Sequence, residues 1–278
     1  MSDRMNNALS RHWPEYLMEA AGLGLFMISA CVFAALLEHP DSPVRQALAD
    51  PLLRRALMGS AMGLTAILII YSPWGQQSGA HINPSVTMSF WYLGKIEPWD
   101  AFFYVLAQFV GATAGVALTA AVLGAALAEP HVNFVVTRPG MGGTALAFAV
   151  ETAISCGLFT VVLLASNHLK LARYTGLFAG LLVALYITFT APFSGMSMNP
   201  ARSFGSAVIA GQLHFLWLYF TAPPLGMLLA AELFHRLRGR DAVGCCKLHH
   251  ENDKRCIFRC NYRRARTDTA CAVSAESM

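Results

Sequence analysis

Two short stretches hold the residues whose types and spacing could do chemistry. One reads Ser194-Gly195-Met196-Ser197-Met198-Asn199-Pro200-Ala201-Arg202-Ser203, and an earlier copy reads Ser78-Gly79-Ala80-His81-Ile82-Asn83-Pro84-Ser85. Asparagine is a strong helix N-cap. Proline suits the first helical position, where its missing N–H would have no intrahelical partner. Each copy therefore predicts a loop feeding a helix N-terminus. The apolar runs behind them, 86–92 and 201–210, fall well short of the roughly 20 residues that cross a bilayer. They are half-helices. Two such N-termini meeting end to end would place both positive dipole ends at one point. The amides of Asn83 and Asn199 would stand at the junction. The carbonyls of Gly79, Ala80, His81, Gly195, Met196 and Ser197 have no intrahelical partner and could face a pore as acceptors. A polar neutral molecule could exchange its bulk hydrogen bonds for that ladder, whereas a cation would meet the positive centre and Arg202.

A second group of reactive side chains crowds the C-terminal tail: Cys245, Cys246, His249, His250, Cys256 and Cys260, with Cys271 beyond them. In a reducing compartment such a cluster is a candidate site for zinc or another soft metal. Its spacing is not that of a standard zinc finger. The other reading is a reactive or incidental thiol cluster on a basic, largely disordered tail. Its basic residues could also attract anionic lipid headgroups, at about 1 kcal/mol each near the surface.

The elements that must position these residues are membrane helices. The chain has 278 residues, 55% hydrophobic and only 13% charged. Six apolar runs, at 16–37, 56–74, 101–128, 144–166, 174–192 and 215–234, each approach the spanning length. A soluble helical core would need helices with a charged face, which these lack. The first run is too long and uninterrupted for a signal-peptide core, and no small-residue cleavage site is apparent. Glu19 lies within it, either as a functional group at depth or as an interfacial Glu near the helix end. Gly59 with Gly63, and Gly111 with Gly115, are small-residue pairs for close helix packing. Ser72-Pro73-Trp74-Gly75 breaks the second run before the first motif. Gln108 in the third run is suited to a hydrogen bond with a neighbouring helix, or to direct solute contact.

The two halves look alike. Each runs span with Glu (Glu19, Glu151), span with paired glycines, Ser-Gly-x-x-x-Asn-Pro, half-helix, span. Three full spans per half force the second half to enter the membrane inverted, which puts a pathway at the midplane between the halves. The expected fold is an all-α membrane protein of six transmembrane helices and two re-entrant half-helices in two inverted repeats. Its segments are a cytoplasmic N-terminal stretch (1–15), a first repeat (16–128), an extracytoplasmic connecting loop (129–143), a second repeat (144–236) and a basic Cys/His-rich cytoplasmic tail (237–278). Lys and Arg collect on the side of the termini (Arg4, Arg11, Lys95, Lys170, Arg173, Arg236, Arg238, Arg240) more than opposite (Arg45, Arg54, Arg55, Arg138). That bias places both termini in the cytoplasm of a plasma or inner membrane. The net charge of +4 then follows from topology and calls for no nucleic-acid partner.

The two motifs resemble the signature loops of the aquaporin, or major intrinsic protein, family. The likeness extends over roughly 16–236, through Glu19 and Glu151, Ala107-Gln108, Tyr219 and Pro223. It implies a pore in every subunit of a homotetramer, lined at Asn83-Pro84-Ser85 and Asn199-Pro200-Ala201. It also implies that Glu19 and Glu151 hold the re-entrant loops by hydrogen bonds. His81 is placed to brace its own loop through its side chain, the alternative being direct gating. By that resemblance the selectivity filter consists of Arg202, Ile187, Met196 and a residue of the second span. That residue is Met62 if 72–77 carries one extra residue, the preferred register, and Gly63 if it does not. Strict water channels of the family carry His where this chain has Ile187, which makes the filter more apolar. Ser203, Ala207 and Tyr219 resemble the water-type branch. Phe220 stands where Trp is usual, and Ser85 where Ala is, adding a hydroxyl near the pore wall.

The expected function is a passive channel for water and small uncharged, glycerol-like solutes that excludes ions and protons and requires no cofactor. The partners are the lipid bilayer and the permeant molecules. Two alternatives are an ion-coupled secondary transporter using Glu19 and Glu151, and a channel-like domain regulated by a metal-sensing tail. An enzyme is not expected, since no nucleophile with a partnered base and no phosphate-binding glycine loop is present.

Overall fold

The computed structural model describes residues 2–262. Met1 and the tail beyond 262, with Arg263, Arg264, Arg266 and Cys271, lie outside the described residues. The chain forms helices α1 (Ser2–Glu38), α2 (Pro43–Ala47), α3 (Pro51–Tyr71), α4 (Pro73–Ser78), α5 (Pro84–Tyr92), α6 (Pro98–Leu123), α7 (Ala125–Ala128), α8 (Gly143–Ser166), α9 (Thr175–Ser194), α10 (Pro200–Ala210) and α11 (Leu216–Arg238). Among the described residues there is no strand. Six helices are long and apolar enough to cross a membrane: α1, α3, α6, α8, α9 and α11. At 1.5 Å per residue, α5 and α10 reach only about 14 and 17 Å, roughly half of a bilayer's apolar thickness each.

The inverted repeat is visible in the packing. Helix α1 lies on α6, α8 lies on α11, and α3 crosses α9 between the halves. The α3–α9 crossing depends on glycine. A Cβ at Gly59 would sit 2.4 Å from the Ala184 carbonyl oxygen, and one at Gly63 would sit 2.5 Å from that of Gly180. No side chain fits there, so the backbones touch.

Among the boundaries that differ from the sequence expectation, three bear on how the site is held. Helix α1 begins at Ser2, so residues 2–15 continue the first span as one helix and Glu19 lies far from its end. The N-terminal part is held because Asp100 at the start of α6 accepts from the Tyr16 hydroxyl at 2.6 Å and lies 2.7 Å from His12 Nδ1. The second span stops at Tyr71 rather than 74. Ser72 then caps α4, accepting from the Gly75 N–H at 3.0 Å. The third span ends at Leu123, where Gly124 takes φ +54° and starts the short α7.

The tail is also not a loose chain over its described length. Residues 243–262 lie against the face that carries Arg11 and Glu15 of α1, Glu97 before α6 and Asn167 after α8. Val243, Cys245, Cys246, Leu248 and Phe258 join the same buried cluster as Tyr16, Ile70, Phe90 and Phe159 of the helices.

Candidate functional site

The two motifs form a nearly two-fold pair built on the same parts. In each, a glycine ends the preceding helix with positive φ: Gly79 (92°) and Gly195 (73°). The next residue and the one two further on also have positive φ: Ala80 (54°) and Ile82 (39°), then Met196 (42°) and Met198 (54°). Non-glycine residues in this region are strained by about 1–3 kcal/mol each, so surrounding groups must hold them.

Glu19 and Glu151 do so. Glu19 Oε1 accepts from the Ser78 hydroxyl (2.8 Å) and the His81 N–H (3.0 Å), and Oε2 accepts from the Ile82 N–H (2.6 Å) and Gln108 Nε2 (2.8 Å). Glu151 Oε1 accepts from the Ser194 hydroxyl (2.7 Å) and the Ser197 N–H (2.8 Å), and Oε2 from the Met198 N–H (2.7 Å). Both carboxylates are fully buried. Two tyrosines complete the symmetry: Tyr104 donates to the Ser78 carbonyl at 2.7 Å and Tyr219 to the Ser194 carbonyl at 2.6 Å. Tyr104 escaped the sequence reading, because a tyrosine in an apolar helix looks like core. Gln108 also bonds Thr87 Oγ1 at 3.1 Å, so its amide joins the loop scaffold. His81 braces its loop too, with Nδ1 at 3.1 Å from Thr87 Oγ1.

Each asparagine caps its half-helix and reaches across to the opposite loop. Asn83 Oδ1 accepts from the Ser85 N–H (2.9 Å), and Asn199 Oδ1 accepts from those of Ala201 (3.1 Å) and Arg202 (3.2 Å). The Nδ2 groups donate to the Met198 and Ile82 carbonyls. The two half-helices are thereby joined N-terminus to N-terminus.

A cavity of about 270 Å³ passes this junction. Its walls include both asparagines, and Ala80, His81, Gly195, Met196 and Ser197. Met62, Ile187, Met196 and Arg202 all line it, while Gly63 faces α9. Met58, one helical turn from Met62, lines it as well, as do Phe26 and Val183. Their part was hidden because an apolar side chain facing a pore has no distinct sequence signal. Arg202 is steadied by the Val135 carbonyl, which accepts from Nη1 at 3.0 Å. Thr137, Ser203 and Ser197 form a hydroxyl chain with 2.6 Å steps that ties the connecting loop to the second motif.

Five expected positions fall elsewhere, among them Pro84 and Pro200, which open α5 and α10 and are buried off the cavity wall. Ser85 is fully buried with no partner for its hydroxyl, and Ala201 packs with Leu23 and Met27, so neither is on the cavity wall. They occupy the first helical turn, whose side chains point back onto the neighbouring helices. Gly79 is also absent from the wall, because its carbonyl accepts from the Leu248 N–H of the tail at 3.1 Å.

In the tail, Cys245, His250, Cys256 and Cys260 bring one ligand atom each to within 4.8 Å of the others. Hydrogen bonds from Cys245 and Cys256 hold the Cys260 thiol below its ordinary range. Burial opposes protonation of His250, but its bonds to Cys256 and Cys260 outweigh burial and push it up to about 9. Cys246 and His249 are not part of this group, which corrects the six-residue set. Cys246 is turned into the apolar cluster, and its carbonyl accepts from His81 Nε2 at 3.2 Å. His249 packs edge-on against Tyr71, with centroids 5.0 Å apart.

Comparison with known proteins follows this geometry. A family model described as Major intrinsic protein matches residues 7–234, which leaves the tail outside. The probable aquaporin NIP7-1 of Arabidopsis thaliana is 36% identical over 177 residues, covering 63% of this chain and 62% of the relative. Aquaporin NIP1-2 of the same plant is 32% identical over 231 residues, covering 81% of this chain and 74% of the relative. The chain thus spans about three fifths of the length of the first of these relatives. Among solved structures, the aquaglyceroporin from Plasmodium falciparum superposes with a TM-score of 0.68 at 19% identity, covering 82% of this chain and 98% of that one, a likeness of fold. The chain belongs to the major intrinsic protein family.

Proposed function

We propose that this protein is a passive channel for water and small uncharged, glycerol-like solutes, closed to ions and protons. The observation that carries the reading is the cavity at the joined half-helix N-termini, lined by Met62, Ile187, Met196 and Arg202. Backbone carbonyls and the spare N–H of each asparagine amide replace the hydrogen bonds of a permeating molecule. The two helix N-termini and Arg202 oppose a cation at the junction. Ile187 and the methionines make that region apolar, which lowers the barrier for a carbon-bearing solute relative to a histidine-lined filter.

An ion-coupled carrier would need Glu19 or Glu151 to exchange protons or ions with the cavity. Every oxygen of both carboxylates is instead occupied by loop donors. Conduction by this route needs no cofactor, and the soft-metal reading of the tail concerns regulation. The lysine and arginine bias supports cytoplasmic termini in a plasma or inner membrane. Exposed apolar residues on α3 and α9, including Leu64, Leu68, Leu181 and Phe189, offer surface to lipid and to three further copies in a homotetramer.

The test is osmotic shrinkage of proteoliposomes, with water and glycerol measured in parallel on the full chain before and after chelation of bound metal. Flux well above that of empty liposomes, linear in the gradient, supports the channel. Flux that saturates with solute or follows an ion gradient sinks it.

A further inference from the structure

The tail segment that brings Cys245, His250, Cys256 and Cys260 together reaches the wall of the cavity at Leu248. We propose that Cys245, His250, Cys256 and Cys260 bind a single Zn²⁺ in a Cys3His site, and that this metal knots the tail into a plug seated in the terminus-side mouth of the pore. The plug rests on the channel reading; the metal site does not.

The ligand geometry fits zinc. Bonds of about 2.3 Å to sulfur and about 2.0–2.1 Å to nitrogen give a tetrahedron with edges of roughly 3.5–3.8 Å. Cys245 Sγ lies 3.5 Å from Cys256 Sγ, and Cys260 Sγ lies 3.0 Å from His250 Nε2. All four atoms are within 4.8 Å of one another, so small side-chain rotations close the tetrahedron. Charge points the same way. Lys247 is only 2% exposed, and its ammonium donates to the Lys254 and Arg255 carbonyls at 3.2 and 2.7 Å. Among the described residues no carboxylate forms an ion pair with it, although buried charges are ordinarily paired. It stands two residues along the chain from Cys245. Three thiolates on Zn²⁺ carry one net negative charge, which supplies the missing partner.

The segment also needs a staple. From 243 to 261 it has no regular helix or strand. Its internal backbone bonds are few, such as Asn261 N–H to the Gly244 carbonyl at 3.0 Å. A piece this small does not bury enough apolar surface to fold by itself, and a structural metal is a common remedy.

The seat is specific. The Leu248 N–H occupies the Gly79 carbonyl at 3.1 Å, and Leu248 forms part of the cavity wall. The Phe258 ring stacks on His81 with centroids 5.5 Å apart and planes at 14°. Around the rim, Arg255 Nε bonds Glu15 Oε1 at 2.6 Å and Arg259 Nε bonds Glu97 Oε1 at 2.7 Å. The Gly244 N–H donates to Asn167 Oδ1 at 2.7 Å. The tail thus ties α1, the first re-entrant loop, the loop before α6 and the loop after α8 to one knot. A solute leaving the His81 end of the cavity meets Leu248, with Phe258 packed behind His81.

The test combines metal analysis with flux on the purified full chain. One zinc per chain is expected, and Co²⁺ in its place should give the visible absorption of a tetrahedral thiolate site. Cys260→Ser and Cys245→Ser should lose the metal. In proteoliposomes, a membrane-permeant chelator should raise water permeability roughly tenfold, the change from a site nine-tenths closed to fully open, and added Zn²⁺ should reverse it. The double variant Arg255→Ala/Arg259→Ala keeps all four ligands and loses the rim contacts. It should still bind one zinc but conduct at the high level with or without metal. A chain that neither carries nor takes up zinc overturns the site. One zinc per chain with unchanged flux on chelation overturns the plug. If no form conducts, chelated and double-variant chains included, the channel reading and the plug both fall, and stoichiometry alone decides the metal site.

Discussion

Asn83 and Asn199 exchange hydrogen bonds with each other's loops. Nδ2 of Asn83 donates to the Met198 carbonyl at 2.8 Å, and Nδ2 of Asn199 donates to the Ile82 carbonyl at 2.7 Å. Each accepting residue has positive φ and immediately precedes the other asparagine. The two half-helices therefore hold each other in register, and the strained loops are fixed at the point where a permeating molecule would pass.

The clamps on those loops should be costly to change. In Glu19→Gln the acceptor facing the His81 or Ile82 N–H becomes a donor, leaving buried groups unpaired at about 1–3 kcal/mol each. We expect a lower melting temperature in detergent and reduced water flux, with Glu151→Gln behaving alike. Wild-type melting for both would remove the carboxylates from the scaffold role.

Ser85 gives the opposite sign. Its hydroxyl is buried without a partner, so Ser85→Ala should leave stability unchanged or raise it by about 1 kcal/mol. Water and glycerol flux should not change, because the side chain faces away from the cavity. A marked shift in selectivity would place that hydroxyl on the pore wall after all.

At Gly63 the α3–α9 contact leaves no room, so Gly63→Ala should destabilise by about 1–3 kcal/mol through overpacking. Thermal melting of the purified variant, beside a substitution at exposed Leu68 as control, measures it. Equal melting temperatures would contradict the close crossing.

Arg202 and Ile187 should separate charge exclusion from size selection. Arg202→Ala is expected to admit protons or small cations while water flux persists, read with a pH-sensitive dye inside the vesicles. Ile187→His is expected to cut glycerol flux by roughly tenfold, about 1.4 kcal/mol in barrier height, with water flux kept. Glycerol passage indifferent to Ile187 would move selection elsewhere, with Met58 and Met62 next to examine.

Much of this was legible because the signals are local. Asn-Pro caps, glycine pairs and apolar run lengths act over a few residues, and they mark α5, α10 and the helix crossings. Glu19 and Glu151 stand out as charges in apolar helices. What stayed hidden is tertiary. No local rule gives Ala80, Ile82, Met196 and Met198 positive φ, since their conformation is imposed by carboxylates far away in sequence. The helical start of α1 depends on Asp100, which lies many residues later. The tail looked loose because it has no periodicity, and its order comes from contacts with Glu15, Gly79, His81 and Glu97. Cys246 and His249 looked like ligands by type, and only folding shows that they turn away from Cys245 and His250.

The most direct measurement is stopped-flow light scattering on proteoliposomes of the full chain with the tail metal chelated, following water and glycerol across a range of gradients and temperatures. A central pore predicts fast shrinkage, linear in the gradient, with a weak temperature dependence and no response to imposed ion gradients. Flux no greater than that of empty liposomes from folded, metal-free protein, or flux that saturates, would contradict it.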